Sequence, residues 1–303
     1  MVEVKVESLF RTEARASGVL LKEVNSGRML PIIIGDFEAR AIAMSLAKQQ
    51  TSRPLTFDLF DNIIEQLNTA PERVLITHIE DATYHATLQF RFRSKPCQVN
   101  ARPSDAFTFA VRHGIPISIK KSLMKASPLD VNKLIFENGD KPNKNKGKEE
   151  PTEMLDILAN SAFRDGLKFP PAAKLTPVFV EGIFQTDDQQ MGVLLAEKER
   201  DRKLPIEIGE YEAHIIAMGI ENIIPPRPLT HDLMIDTIAA LEAKIERVVI
   251  DDFNEPDIFY AQIQLYRQPR KFFIDARPSD VVALALKSNA PIFVAKRLMK
   301  RVG

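Results

Sequence analysis

The chain has a single cysteine, Cys97, in 303 residues. One thiol excludes an internal disulfide and any zinc site built from several cysteines, and it makes a reducing cytoplasm the default compartment. No apolar run reaches the roughly 18 residues that a membrane-spanning helix needs. Met1 to Glu7 alternate apolar and charged residues, which is the expectation for a strand and not for a signal peptide. An excess of one charge is also missing, with 41 Lys+Arg against 41 Asp+Glu. A sequence-independent nucleic-acid binder usually carries a basic surplus. Here the surplus is only local: residues 1–125 hold 17 basic against 13 acidic side chains, and residues 176–303 hold 16 against 20. Aromatic residues are 7% of the chain, few for stacking on bases. No zinc-ligand spacing, phosphate-cradling glycine loop or serine nucleophile elbow occurs.

What the chain does have is a repeat. Leu30-Pro31-Ile32-Ile33-Ile34-Gly35 returns as Leu204-Pro205-Ile206-Glu207-Ile208-Gly209, an offset of 174. Arg53-Pro54-Leu55-Thr56 returns as Arg227-Pro228-Leu229-Thr230 at the same offset. Ala101-Arg102-Pro103-Ser104-Asp105 returns as Ala276-Arg277-Pro278-Ser279-Asp280, offset by 175, so one residue is added in a turn around Pro256. The period is far too long for a solenoid unit, and the length suits two cores. The expected domains are therefore residues 1–125 and 176–303. Between them lies a polar linker, 126–175, whose stretch from Asn138 to Pro151 lacks apolar periodicity and is expected to be disordered. Pro128–Phe136 and Thr152–Leu167, beside it, have helical spacing.

Each copy predicts the order βββααβββαβ. Alternating or short apolar runs give three strands up to Ile34. A helix then opens at Asp36 with Phe37, Ala41 and Met44 as its apolar face. A second runs from an N-cap at Thr56 to about Leu67. Three strands follow, then a helix capped by Ser104 and ending near His113, then a last strand over Pro116–Ile119. Clustered strands favour an α+β class with a mixed sheet over a doubly wound parallel sheet.

Four ordered signatures recur in both copies: Leu-Pro-Ile-x-Ile-Gly followed by Glu38-Ala39 (Glu212-Ala213), Arg-Pro-Leu-Thr-x-Asp, the strand at Tyr84 (Phe259), and x-Ala-Arg-Pro-Ser-Asp. In these the sequence resembles the bifunctional nuclease domain family, over nearly all of 1–125 and 176–303. The resemblance implies a small α+β domain with nuclease activity toward RNA or DNA.

The residues themselves support two readings. Hard cations prefer oxygen ligands, and a metal-activated water can attack phosphorus. On that reading Glu212, Asp275 and Asp280 hold Mg²⁺ or Mn²⁺, His231 is a base or ligand, and Arg227, Arg277, Ser279, Arg53 and Arg102 face the phosphates. On the other reading the same residues are helix starts: Ser279 and Thr230 as caps, Glu212, Asp232 and Asp280 as first-turn acids, and Arg227 and Arg277 as their counter-charges. Helix starts meeting at one place would also form an anion site.

The copies are not equivalent. Asn100 and Phe57 stand where the second copy has Asp275 and His231. An amide is a poorer ligand for a hard cation than a carboxylate, and Phe can neither ligate nor move a proton. Any chemistry is therefore expected in the second copy. One function class is a metal-dependent nuclease of low sequence specificity. The alternative is a non-enzymatic scaffold or regulatory protein whose linker helices bind a partner. A domain that pairs with itself can, once duplicated, pair within one chain, so the two copies are expected to dock as an intramolecular pseudo-dimer.

Overall fold

The computed structural model describes residues 1–49, 54–81, 83–125, 129, 131, 134–136, 167–168, 170–254 and 258–301. The chain divides into two compact units, one from Met1–Gln50 with Thr69–Ile157 and the other from Thr51–Asn68 with Leu158–Gly303.

The first repeat forms β1 (Val2–Arg11), β2 (Ser17–Glu23), β3 (Met29–Ile33), α1 (Asp36–Leu46), α2 (Thr56–Gln66), β4 (Pro71–Glu80), β5 (Thr83–Phe92), β6 (Lys95–Ala101), α3 (Pro103–His113) and β7 (Ile117–Ile119). A two-residue strand, β8 (Ile135–Phe136), follows. The second repeat forms β9 (Leu175–Gln185), β10 (Met191–Ala196), β11 (Arg202–Ile208), α4 (Glu210–Ile220), α5 (Thr230–Ala240), β12 (Lys244–Asn254), β13 (Ile258–Arg267), β14 (Arg270–Ala276), α6 (Pro278–Ser288) and β15 (Ile292–Ala295), with β16 (Lys300–Arg301) at its end. The order βββααβββαβ is thus realised twice, and the class is α+β as the sequence implies. Among the described residues no helix is long and apolar enough to cross a membrane.

In the first unit the sheet runs β3-β2-β1-β7-β4-β5-β6, with β8 also on β1. In the second it runs β11-β10-β9-β15-β12-β13-β14, with β16 on the β11 edge, which is the same order. Every pairing is antiparallel except β4 with β7 and β12 with β15, where the chain returns through a helix. Alternation decides the buried face. On β5, Tyr84, Ala86, Leu88 and Phe90 point inward while their neighbours are less buried. Phe107 and Phe109 of α3 are fully buried, worth roughly 1.5–3 kcal/mol each by area.

The hairpin links locate the inserted residue. Two residues, 81–82, separate Glu80 from Thr83, whereas three, 255–257, separate Asn254 from Ile258. Pro256 itself lies outside the described residues.

Four expectations change. First, repeat and compact unit differ at one element: α2, coded in the first repeat, packs in the second unit against β14 and α5. Second, α1 buries Ile42, not the Phe37 face, and Phe37 is 53% exposed. Glu38 must turn inward to meet Arg102, and that sets the helix's rotation. Third, Thr56, Ser104, Thr230 and Ser279 are not caps. The caps are Leu55, Arg102, Leu229 and Arg277, all extended, and Pro103 and Pro278 hold the first helical position where no N–H is needed. Fourth, the end of the stretch expected to be helical over 128–136 is instead the strand β8, Phe10 pairing with Phe136. The helix expected over 152–167 and the disorder expected over 138–151 lie outside the described residues, apart from Leu167.

Candidate active site

In the second unit four helix starts converge on one guanidinium. Arg277 caps α6, Glu212 is in the first turn of α4, His231 is in the first turn of α5, and Thr56 opens α2. Arg277 Nε donates to Asp280 Oδ2 at 2.8 Å, and its Nη1 lies 3.0 Å from Glu212 Oε1. Its Nη2 donates to Thr56 Oγ1 at 2.9 Å. The Thr56 hydroxyl donates in turn to Asp280 Oδ1 at 3.0 Å, and His231 Nε2 sits 3.0 Å from the same oxygen. Because both oxygens of Asp280 are acceptors here, Nε2 is the protonated ring nitrogen. Nδ1 is buried with no hydrogen-bond partner.

The electrostatics follow from burial and pairing. Asp280 is fully buried, which by itself raises a carboxyl pKa. Arg277 and then His231 more than reverse this, and Asp280 is held well below the usual carboxylate range. For Arg277, burial opposes the charge, but Asp280 and Glu212 outweigh it and the guanidinium stays protonated. The positive ends of four helix dipoles favour the same carboxylates.

A glycine makes the geometry possible. A Cβ on Gly209 would stand 2.3 Å from Glu212 Oε2, because the carboxylate folds back over the residue that caps its own helix. Gly35 and Glu38 repeat this. The Gly-x-x-Glu spacing therefore delivers a carboxylate to the arginine of the Ala-Arg-Pro-Ser-Asp motif.

The first unit carries the same core. Arg102 Nη1 donates to Glu38 at 2.6 Å, and Nε and Nη2 grip Asp105 at 2.8 and 3.2 Å. Phe57 stands in the first repeat where the second has His231.

Of the residues expected at the site, Glu212, His231, Arg277 and Asp280 meet. Asp275 is buried at the end of β14, opposite Gln262 in the ladder. Ser279 is buried in the first turn of α6. Arg227 is half-buried in the segment before α5, and Arg53 lies outside the described residues. Asp232 is used elsewhere: it accepts from the Leu229 N–H at 2.8 Å and pairs with Lys287 at 2.7 Å. The sequence reading missed the role of Thr56 because it lies in the other repeat. Cys97 is half-buried, and burial pushes its thiol pKa up, away from nucleophilic use.

The carboxylates do not match a resident Mg²⁺ or Mn²⁺ in this arrangement. Both oxygens of Asp280 are engaged by Arg277, His231 and Thr56. Among the described residues, Glu212, Asp275 and Asp280 are not a set whose donor atoms lie within 4.8 Å of one another; His78, Glu80 and His85 are the set that meets this condition.

The model of the bifunctional nuclease domain matches residues 19–132 and again 193–303. An uncharacterized protein of Mycobacterium tuberculosis is 43% identical over 127 residues, covering 42% of this chain and 75% of that protein. Bifunctional nuclease 1 of Arabidopsis thaliana is 26% identical over 141 residues, 41% of this chain and 43% of the relative. Bifunctional nuclease 2 of the same plant is 27% identical over 111 residues, 35% and 34% respectively. With well over half of its length matched in two successive segments, the chain belongs to the bifunctional nuclease domain family.

Proposed function

We propose that the protein is a nuclease of low sequence specificity, acting on RNA or DNA through its second repeat. The observation that carries this is the buried His231–Asp280 pair beside Arg277. Asp280 fixes the ring's tautomer, leaving Nδ1 as a buried nitrogen without a hydrogen-bond partner beside the Arg277 guanidinium network. Arg277 and Glu212 are the more accessible members, with side chains 13% and 19% exposed. A phosphodiester that displaced Glu212 from Arg277 would gain a charge-assisted contact, and the freed carboxylate would take the proton of a water that attacks phosphorus as the P–O bond to the leaving oxygen breaks. Any Mg²⁺ or Mn²⁺ required would enter with the substrate's phosphate oxygens, as hard cations commonly do.

The test incubates the untagged chain with single-stranded DNA and RNA, each with and without Mg²⁺ or Mn²⁺. His231→Phe copies the first repeat's residue. It should lower cleavage by about 10²-fold or more, the range of a lost general acid or base, while Asp105→Asn leaves most activity. Cleavage that survives His231→Phe undiminished would overturn the assignment.

The second reading is a scaffold without catalysis. Full burial of Asp280 and near-full burial of His231 favour it, since a reacting group must meet its substrate. Absence of cleavage under every cation condition would leave this reading standing. We also propose that the two repeats work as an intramolecular pseudo-dimer, supported by α2, which is coded in the first repeat and packs in the second unit. Independent tumbling of the two halves in NMR relaxation would refute it.

A further inference from the structure

We propose that the β4–β5 hairpin of the first unit is a binding site for a borderline divalent cation, Zn²⁺ foremost, held by His78, Glu80 and His85. The site is separate from the Arg277 network and does not depend on the nuclease reading.

The sheet geometry places the three side chains together. Positions 78 and 80 are two apart on β4 and so project from one face of the strand. His85 on β5 is the direct ladder partner of His78, and cross-strand partners share a face. The ladder shifts register between Ile76 and His78, so Thr77 is the extra residue of a bulge, a feature that re-aims the side chains beside it. The result is that one donor atom from each of the three residues lies within 4.8 Å of the other two. His85 Nε2 stands 3.8 Å from Glu80 Oε2, and the two imidazole rings are stacked, with centroids 4.2 Å apart and planes 23° from parallel. Donors around a tetrahedral Zn²⁺ with bonds of about 2.0–2.1 Å are roughly 3.3 Å apart. A small rotation of these solvent-facing side chains would close the difference.

The chemistry selects the ion. Two imidazoles and one carboxylate suit Zn²⁺, Ni²⁺ or Cu²⁺, whereas Mg²⁺ and Ca²⁺ want oxygen alone. The Thr77 hydroxyl lies 3.0 Å from His78 Nδ1, the kind of outer partner that orients a ligating ring and leaves Nε2 for the metal. His78 and Glu80 are exposed, so an ion held there would keep an open position for water or another oxygen ligand. The second repeat has Asp252, Asn254 and Tyr260 at the matching places, and its Asp252 is paired with Arg297. The site therefore belongs to the first repeat alone.

The experiment is calorimetric titration of ZnCl₂ into the untagged, chelator-treated full chain, with MgCl₂ as a parallel arm. One Zn²⁺ per chain should bind, with no comparable Mg²⁺ heat. His78→Ala and His85→Ala should each weaken Zn²⁺ binding by roughly tenfold or more. His214→Ala, an exposed histidine outside the hairpin, should leave it unchanged. Unchanged far-UV circular dichroism would verify that the surface variants remain folded. Zn²⁺ binding that is absent, or that survives both His78→Ala and His85→Ala, would overturn the proposal.

Discussion

Replacing Asp280 by Asn should destabilise the second unit by about 3 kcal/mol. The carboxylate is fully buried and accepts from Arg277 at 2.8 Å and from Thr56 and His231 at 3.0 Å. Hydrogen bonds to charged groups contribute about 1.5–3 kcal/mol each, and breaking a buried ion pair costs about 3–5 kcal/mol because the partner charge is left uncompensated. Asn keeps the shape and one accepting oxygen, which places the estimate at the low end. Arg277 retains Glu212, which limits the loss further. A domain is stable by only about 5–15 kcal/mol, so the shift is large. The chain has no tryptophan, so urea unfolding is best followed by far-UV circular dichroism. The variant's midpoint should fall with little change in slope. Asp280→Asn combined with Arg277→Met should cost less than the sum of the two single changes, since neither charge is then left alone. A single-variant loss under 0.5 kcal/mol, or strict additivity in the double variant, would refute the view of a buried network coupled through Arg277. The magnitude also bears on the activity test. A dead Asp280 variant is ambiguous between lost chemistry and lost fold, and for that reason His231→Phe is the more discriminating change.

Gly209→Ala keeps an allowed backbone, with φ −65° and ψ 155°, but its methyl would displace the Glu212 carboxylate. A loss of about 1 kcal/mol in urea unfolding is expected, and a Glu212→Gln background should erase most of it. Gly192→Ala meets the Phe184 ring at 2.1 Å and should cost about 1–3 kcal/mol by overpacking, read as a lower melting temperature. Because Asp280 is held below the ordinary carboxylate range, its contribution is complete at neutral pH. It should be lost as pH falls below roughly 4, where the unfolded chain takes up the proton. Acid titration by circular dichroism should show Asp280→Asn with a flatter acid limb than the parent. Thr56→Ala removes the acceptor of Arg277 Nη2 and a donor to Asp280 and should cost about 1–2 kcal/mol, measured in the same unfolding assay.

The order of elements was legible because its punctuation is local. Pro103 and Pro278 open helices, and Gly114 with φ 63° and Asn289 with φ 54° close them in the left-handed region. Duplication then supplied a second reading of every element. What could not be read is non-local. The caps were misassigned because Ser and Thr near a helix start are usually caps, whereas here the carboxylate three residues on reaches back, as Asp58 does to the Leu55 N–H at 2.7 Å. Once released from capping, Thr56 is available to Asp280. The face of α1 was misread because apolar spacing says nothing of an inward Glu38 matched to Arg102. The packing of α2 in the second unit has no sequence signal at all. The histidine cluster did have one: the two strands on either side of Asp81 are joined by so short a turn that their pairing sets His78 against His85.

The two repeats differ where chemistry is expected and agree where structure is expected, and that contrast orders the roles. Arg102 grips Asp105 with two nitrogens and Glu38 with the third. Arg277 gives one nitrogen each to Asp280, Glu212 and Thr56. Glu, Arg and Asp are therefore kept as a set whether or not a histidine accompanies them, and the cost of leaving any one buried charge unpaired is reason enough. The set alone cannot be what distinguishes an active repeat from an altered one. In the second repeat an imidazole also sits on the carboxylate, and Thr56 takes up a guanidinium N–H whose counterpart on Arg102 goes to Asp105. If the protein cleaves phosphodiesters, the Glu–Arg–Asp set is the frame that fixes the helix starts, and His231 is the residue whose removal should separate activity from stability.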